Sequence, residues 1–168
     1  MPTSEAELVP GTYTFAPFAP PVSFRVGNGW IAGHELEEFF DVQQPEVVVA
    51  FGAPAFVFDR QGVRRDVEGM SPHGAAGMLA ANRDLRPGKV EPETVDGLQG
   101  ATVALTPRVE TNVFGKTGNY TALVGSSLRV TFVRVHGEMV VVMAVARAKP
   151  FDRWFAEAER VIRTVSFP

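Results

Sequence analysis

The chain has 168 residues, a formal net charge of −3, 45% apolar and 21% charged residues, and no cysteine. Such a length and apolar share suit one globular core and exclude disorder, collagen-like repeats and coiled coil. The mildly acidic balance argues against a strongly basic nucleic-acid binder, and a chain without cysteine has neither a disulfide framework nor a thiolate metal site.

Valine is used 25 times against 2 isoleucines, and arginine outnumbers lysine 13 to 3. The second bias is common in GC-rich genomes and carries no chemistry. The first points to a large sheet, because β-branched side chains favour strands. No stretch reaches the roughly 20 apolar residues of a membrane span. Residues 1–10 are expected to be a flexible segment and 11–168 a single α+β domain. Met1 to Pro10 has neither a basic nor an apolar region of the kind a signal peptide needs.

In chain order, Gly11 to Phe18 reads as extended, and Pro17, Pro20 and Pro21 keep the following stretch extended or turned. Val22, Phe24 and Val26 alternate with Ser23 and Arg25, the period of a half-buried strand. Phe39 to Val42, Val47 to Phe51 and Ala55 to Asp59 read as short strands bounded by Pro45, Gly52, Pro54 and Gly62. Pro72 to Asn82 reads as a helix with Ser71 as its N-cap and Pro72 at its first position. Arg86 to Pro92 should then end it, Gly97 and Gly100 should flank a turn, and Ala101 to Thr106 should be a strand. Asn112 to Tyr120 reads as a loop or irregular hairpin end.

Leu128 to His136 and Met139 to Ala146 form a hairpin about Gly137-Glu138. The second of these strands is apolar on both faces and belongs in the middle of a covered sheet. Phe151 to Arg163 carries apolar residues at helical spacing, so it should dock on the sheet. Thr164 to Phe167 returns as a short edge strand. Trp154, Phe155, Val161, Val141, Met143 and Val145 are the expected core. The sheet should hold six to eight strands, with the Pro72 helix on the face opposite the last helix or at an edge.

The chemically suggestive motifs are weak. Gly115-Lys116-Thr117 resembles the end of a phosphate loop, but Glu110 stands where that loop needs glycine. Gly69-Met70-Ser71-Pro72-His73 resembles a nucleophile elbow, but Pro72 has no N–H for an oxyanion hole. His34 lies near Glu35, Glu37 and Glu38, a local nitrogen–oxygen cluster that also fits a solvated face. His136 belongs at a hairpin corner. Arg60, Arg64 and Arg65 could meet an anion or lipid headgroup. Asn119-Tyr120-Thr121 fits a glycosylation sequon.

Thirteen phenylalanines, eight of them between Phe15 and Phe58, either fill a core or line an apolar pocket. For the pocket, the candidate ligand-binding residues are Phe39, Phe51, Phe56, Phe58, Arg64 and Arg65. No catalytic residues, cofactor or metal ligands are assigned.

Leu8-Val9-Pro10-Gly11-Thr12-Tyr13, Val22-Ser23-Phe24-Arg25-Val26, Gly29-Trp30, Met78 to Asn82, Val95 to Gly100, the hairpin at Gly137 and Val165-Ser166-Phe167 occur in a telling order. That order resembles uncharacterised secreted or lipoprotein domains of GC-rich Gram-positive bacteria, similar in fold to PsbP, the photosystem accessory protein, and to LpqN-type mycobacterial lipoproteins. The resemblance spans about residues 8 to 167 and implies a PsbP-like α/β/α sandwich. It implies an extracellular or cell-envelope setting, although the chain shows no lipobox cysteine and a cytoplasmic setting fits its N-terminus. The function it implies is a non-enzymatic binding or accessory domain whose partner is an envelope protein or a lipid-like small molecule. The alternatives are a protein-interaction module without a small-molecule site, and an enzyme using carboxylates and His34.

Overall fold

The structure is a computed structural model that describes residues 6–16, 19–36 and 38–168. Residues 1–5, Pro17, Phe18 and Glu37, which figure in the expectations above, lie outside the described residues.

Thirteen strands and two helices follow one another among those residues. They are β1 (Gly11–Phe15), β2 (Val22–Val26), β3 (Ile31–Leu36), β4 (Phe39–Gln44), β5 (Val47–Gly52), β6 (Phe56–Phe58), β7 (Arg64–Asp66), α1 (Pro72–Ala80), β8 (Leu85–Val95), β9 (Leu98–Pro107), β10 (Thr111–Gly115), β11 (Asn119–Ala122), β12 (Ser127–Val135), β13 (Glu138–Ala146) and α2 (Phe151–Ile162). Seven strands build the main antiparallel sheet in the order β3-β4-β5-β13-β12-β9-β8. The strands β11-β10-β6-β7 form a second sheet and β1-β2 a third. The class is α+β.

The doubly apolar β13 takes the middle place, as expected of a strand with no polar face. Its side chains alternate between two cores. Val140, Val142, Ala144 and Ala146 pack with Phe155, Ala158 and Val161 of α2. Met139, Val141, Met143 and Val145 join Ala75, Ala76 and Leu79 of α1. The helices therefore cover opposite faces. Trp154, expected in the core, is only half-buried, because it lies at the margin of the α2 stripe.

Ser71 caps α1, its Oγ accepting from the Gly74 amide at 3.0 Å. The remaining differences come from turns and edges. The Gly137 hairpin turns on His136-Gly137, both at positive φ (51° and 91°), not on Gly137-Glu138. This is the two-residue turn whose twist matches that of its strands. Asp96-Gly97 (φ 51° and 75°) makes the same turn between β8 and β9, and Gly100 lies inside β9 rather than at a turn. Asn112 to Tyr120, read as a loop or irregular hairpin end, is the second of these: the bulged hairpin β10–β11.

Helix α1 already ends at Ala80, with Ala81 as its C-cap, and Arg86 to Pro92 lies within β8, an edge strand. Two prolines are tolerated there because only outward-facing N–H groups are dispensable. Pro87 pairs with Leu105 and Pro92 with Ala101, and a one-residue slip lies between Pro87 and Val90. The six residues from Pro87 to Pro92 thus match the five from Ala101 to Leu105. Without the slip the prolines would fall in opposite phases, and one would stand where a ladder donor is needed. The bulge puts both in the same phase.

The N-terminal segment is tied down in its second half. The Leu8 amide donates to the Trp30 carbonyl at 2.8 Å and the Ala32 amide to the Ala6 carbonyl at 2.9 Å, while the Leu8 side chain enters the α2-side core. The tail meets β2 by a single bridge, Ser23 to Ser166, rather than as a strand.

Candidate functional site

On its α1 face the main sheet is unevenly covered. Helix α1 is nine residues long and packs mainly over β8, β9 and β12, with a smaller contact to β6. Over β4, β5 and β13 the cover is instead the β10–β11 hairpin and the loop after it, and between them lies a cleft of about 1070 Å³. Its floor includes Phe39 and Asp41 of β4, Val48 and Gly52 of β5, and Val145 with the following Arg147. Its roof includes Phe114, Tyr120, Leu123 and Val124.

The roof is held by several contacts. The Ala55 amide donates to the Gly115 carbonyl at 2.8 Å, and the Thr117 hydroxyl donates to the Glu38 carboxylate. Phe114 stacks on Tyr120 at 5.4 Å, and Tyr120 reaches across to Phe39 at 5.5 Å. Leu123 and Val124 are 57% and 61% exposed and form an apolar lip.

One end of the cleft is polar. Asp41 is 5% exposed, and its Oδ2 lies 3.0 Å from His34 Nδ1. Its Oδ1 is buried with no hydrogen-bond partner. This carboxyl fits beside β3 only because residue 33 is glycine, where a Cβ would overlap the carboxylate. Burial pushes Asp41 above the ordinary aspartate range, against the opposing pull of the His34 hydrogen bond and charge and of Arg147. Burial and the Asp41 charge push the Tyr120 hydroxyl up to about 12, with Arg147 opposing. The Arg147 guanidinium donates to Gln43 Oε1 at 2.8 Å.

A carboxyl raised by folding stabilises the fold when protonated. That contribution is complete below the unfolded value of 3.8 and is lost as pH rises through the raised folded value. Asp41→Asn is therefore expected to be more stable than the wild type near neutral pH, with the difference closing towards acid. Urea unfolding of both proteins across an acid-to-neutral series measures this; parallel curves would refute it.

The six sequence-derived ligand candidates do not share one place. Phe39 lines the cleft. Phe51 is fully buried on the opposite face of the sheet, stacked 4.7 Å from Phe40 and 5.3 Å from Phe24. Phe56, Phe58, Arg64 and Arg65 gather on β6–β7. There Arg64 lies 4.5 Å over the Phe56 ring, and Arg65 Nε donates to Asp59 Oδ2 at 2.6 Å. Asp59 also accepts from the Val63 and Gln61 amides, and these contacts hold its carboxyl below the usual range. Arg65 thus orders the 59–65 turn.

His34 pairs with Asp41 across the strands, and no metal-holding group of His, Asp or Glu occurs among the described residues. Lys116 to Gly118 is the exposed β10–β11 turn, not a phosphate loop. In the sequon, Asn119 Oδ1 accepts from Arg64 at 3.3 Å. Asp41, Tyr120, Arg147, Leu123 and Val124 were not among the candidates. The sequence does signal the first of them, as a lone acid in the apolar run Phe39-Phe40-Asp41-Val42.

No protein-family model matches the chain, and no curated protein matches it. Among solved structures, the chain is similar to the solution structure of cyanobacterial PsbP from Synechocystis sp. PCC 6803, with 11% identity and a TM-score of 0.48, over 94% of this chain and 92% of that one.

Proposed function

We propose that this is a non-enzymatic binding domain that holds a small apolar or lipid-like ligand in the cleft between the β4-β5-β13 floor and the β10–β11 roof. The observation that carries the reading is the cleft itself. Its volume of about 1070 Å³ lies just above the roughly 300–1,000 Å³ typical of small-molecule sites. Apolar and aromatic walls with a few polar groups gathered at one end are the usual make-up of such sites. The exposed Leu123 and Val124 at the mouth give an apolar ligand its first contact. An envelope setting is supported by the resemblance of the turn and hairpin motifs to secreted and lipoprotein domains. No helix among the described residues is long and apolar enough to cross a membrane.

The test is fluorescence titration with Nile red, an apolar probe. The full chain should bind it, and Leu123→Asp should weaken binding about tenfold while leaving the melting temperature in place. An absence of probe binding would refute the reading.

A second reading, an enzyme using carboxylates and His34, is favoured by the 3.0 Å His34–Asp41 pair within the same cleft. Among the described residues no serine or threonine hydroxyl hydrogen-bonds to His34, so the pair would have to activate a water. Turnover of simple acyl esters that disappears in His34→Gln would support it over binding.

A further inference from the structure

The described residues expose five large apolar side chains, Val9, Val63, Val109, Leu123 and Val124. The strand registers bring all five to one end of the sheets. Leu105 faces Leu128 across β9–β12, and Thr111 faces Ala122 across β10–β11. The turns that hold Val109 and Leu123-Val124 therefore lie side by side. Strand β6 runs antiparallel to β10, so the β6–β7 turn with Val63 leaves at the Thr111 end. Leu8 is bonded to Trp30, which precedes β3 at its Gln43 end, so Val9 stands at the border of the same end.

The charge at this end differs from that of the whole chain, which is −3. Leu85 faces Pro107 and the Arg108 amide donates to the Asp84 carbonyl, which brings Arg83 and Arg86 beside Arg108. Ser127 faces Ala146, so Arg147 and Lys149 follow on the other side of the Leu123-Val124 turn. These five exposed basic residues stand against Glu46, Asp84 and Glu110. Arg60 adds a charge near Val63, where Asp59 is already paired with Arg65. The turns at the opposite end carry Glu38, Glu68, Asp96 and Glu138 against Lys116 and His136. The chain is thus polarised along its strands, and the apolar tips sit on the positive side.

Apolar tips set among arginines match the layering of a bilayer surface. The tips enter the boundary between head groups and acyl chains, while long basic side chains keep their charge at the level of the phosphates. An anionic surface attracts the basic end and repels the acidic turns, which selects one orientation.

We propose that this end of the domain docks on an anionic lipid bilayer, with Val109, Leu123 and Val124 as inserting tips and Arg83, Arg86 and Arg108 on the lipid phosphates. Leu123, Val124 and Arg147 also line the cleft, so docking would set its mouth at the bilayer surface. The inference goes beyond the cleft's occupancy and does not require it.

The experiment is flotation of the full chain with vesicles of phosphatidylcholine alone or of equimolar phosphatidylcholine and phosphatidylglycerol. The chain should float with the anionic vesicles at low salt, be released as salt rises, and stay behind with phosphatidylcholine. Val109 and Arg108 lie outside the cleft lining, so they separate docking from ligand binding. Val109→Asp should weaken vesicle binding about tenfold and Arg108→Gln about fivefold, both with wild-type Nile red affinity. Arg163→Gln, just beyond the far end of α2, should leave vesicle binding in place.

An absence of vesicle binding, equal binding to both vesicle kinds, or equal losses in Arg163→Gln and Arg108→Gln would overturn the docking proposal and leave the cleft reading untouched. A dimer that Val109→Asp dissociates, with no vesicle binding, would overturn it in favour of a second copy on the tips. Anionic-vesicle binding in a chain that fails to bind Nile red would support docking and refute the cleft reading alone.

Discussion

Phe51→Ala is expected to unfold at markedly lower denaturant than the wild type, with a loss of about 3–5 kcal/mol and a Tm lower by roughly 10 °C or more. The ring has no exposed surface. It stacks on Phe40 at 4.7 Å and Phe24 at 5.3 Å, and Phe40 in turn lies 4.2 Å from Phe15. Its removal empties a volume that its rigid aromatic neighbours Phe40 and Phe24 cannot refill by changing rotamer, which is the costly kind of truncation. The cleft lies across the sheet, so the folded variant should bind Nile red with wild-type affinity. Denaturant unfolding and probe titration on the same sample test both halves. A small stability loss joined to a loss of probe binding would return Phe51 to the ligand wall.

Arg134→Ala is expected to cost about 2–4 kcal/mol and to loosen α1 in particular. The guanidinium extends from β12 and donates to the Met70 carbonyl through Nε (3.1 Å) and Nη2 (2.7 Å), to the Val67 carbonyl at 3.0 Å, and to the Gly137 carbonyl. One side chain thus fastens the loop that delivers Ser71, the cap of α1, to the turn of the central hairpin. Alanine leaves the Met70 carbonyl without the guanidinium and the Val67 carbonyl with the Met70 amide alone. Arg134→Lys should recover only part of the loss, because an ammonium cannot reproduce the planar fork. Hydrogen exchange should show faster amides in α1 while those of β13 keep their protection. Equal loss of protection in both would mean that Arg134 supports the whole domain and not the helix.

These expectations bear on what the sequence discloses. The β13 run Met-Val-Val-Val-Met-Ala-Val-Ala has no polar face, so its central place could be read directly, and so could the one-sided stripe of α2 and the Ser71-Pro72 start of α1. Turn positions were less legible. His136 at positive φ is unusual for a residue with a Cβ, so the sequence pattern, which favours glycine at the first turn position, points one residue too far along. Pro87 and Pro92 hid β8, because proline argues against a strand unless the strand is known to be an edge. Edge position is a property of the whole topology.

The cleft was the least legible feature. Phe39 and Phe51 lie in similar short apolar runs, yet one faces the cleft and the other the α2-side core. That difference depends on strand phase, which a run with few polar residues does not reveal. Asp41 could have been noticed as an acid between apolar neighbours. Its meaning required Gly33 and His34 on the adjacent strand and Tyr120 on a hairpin from the other sheet.

The bulge that brings Pro87 and Pro92 into phase has a consequence beyond the strand that contains it. At that border a second molecule seeking to lengthen the sheet would meet two positions with no N–H to offer. At the opposite border, residues 6–8 already occupy backbone groups of β3 and the residue before it. Both borders of the main sheet are thus obstructed over part of their length, which works against edge-to-edge fibre growth of a valine-rich chain. A protein partner approaching either of these two borders would meet side chains more than free backbone.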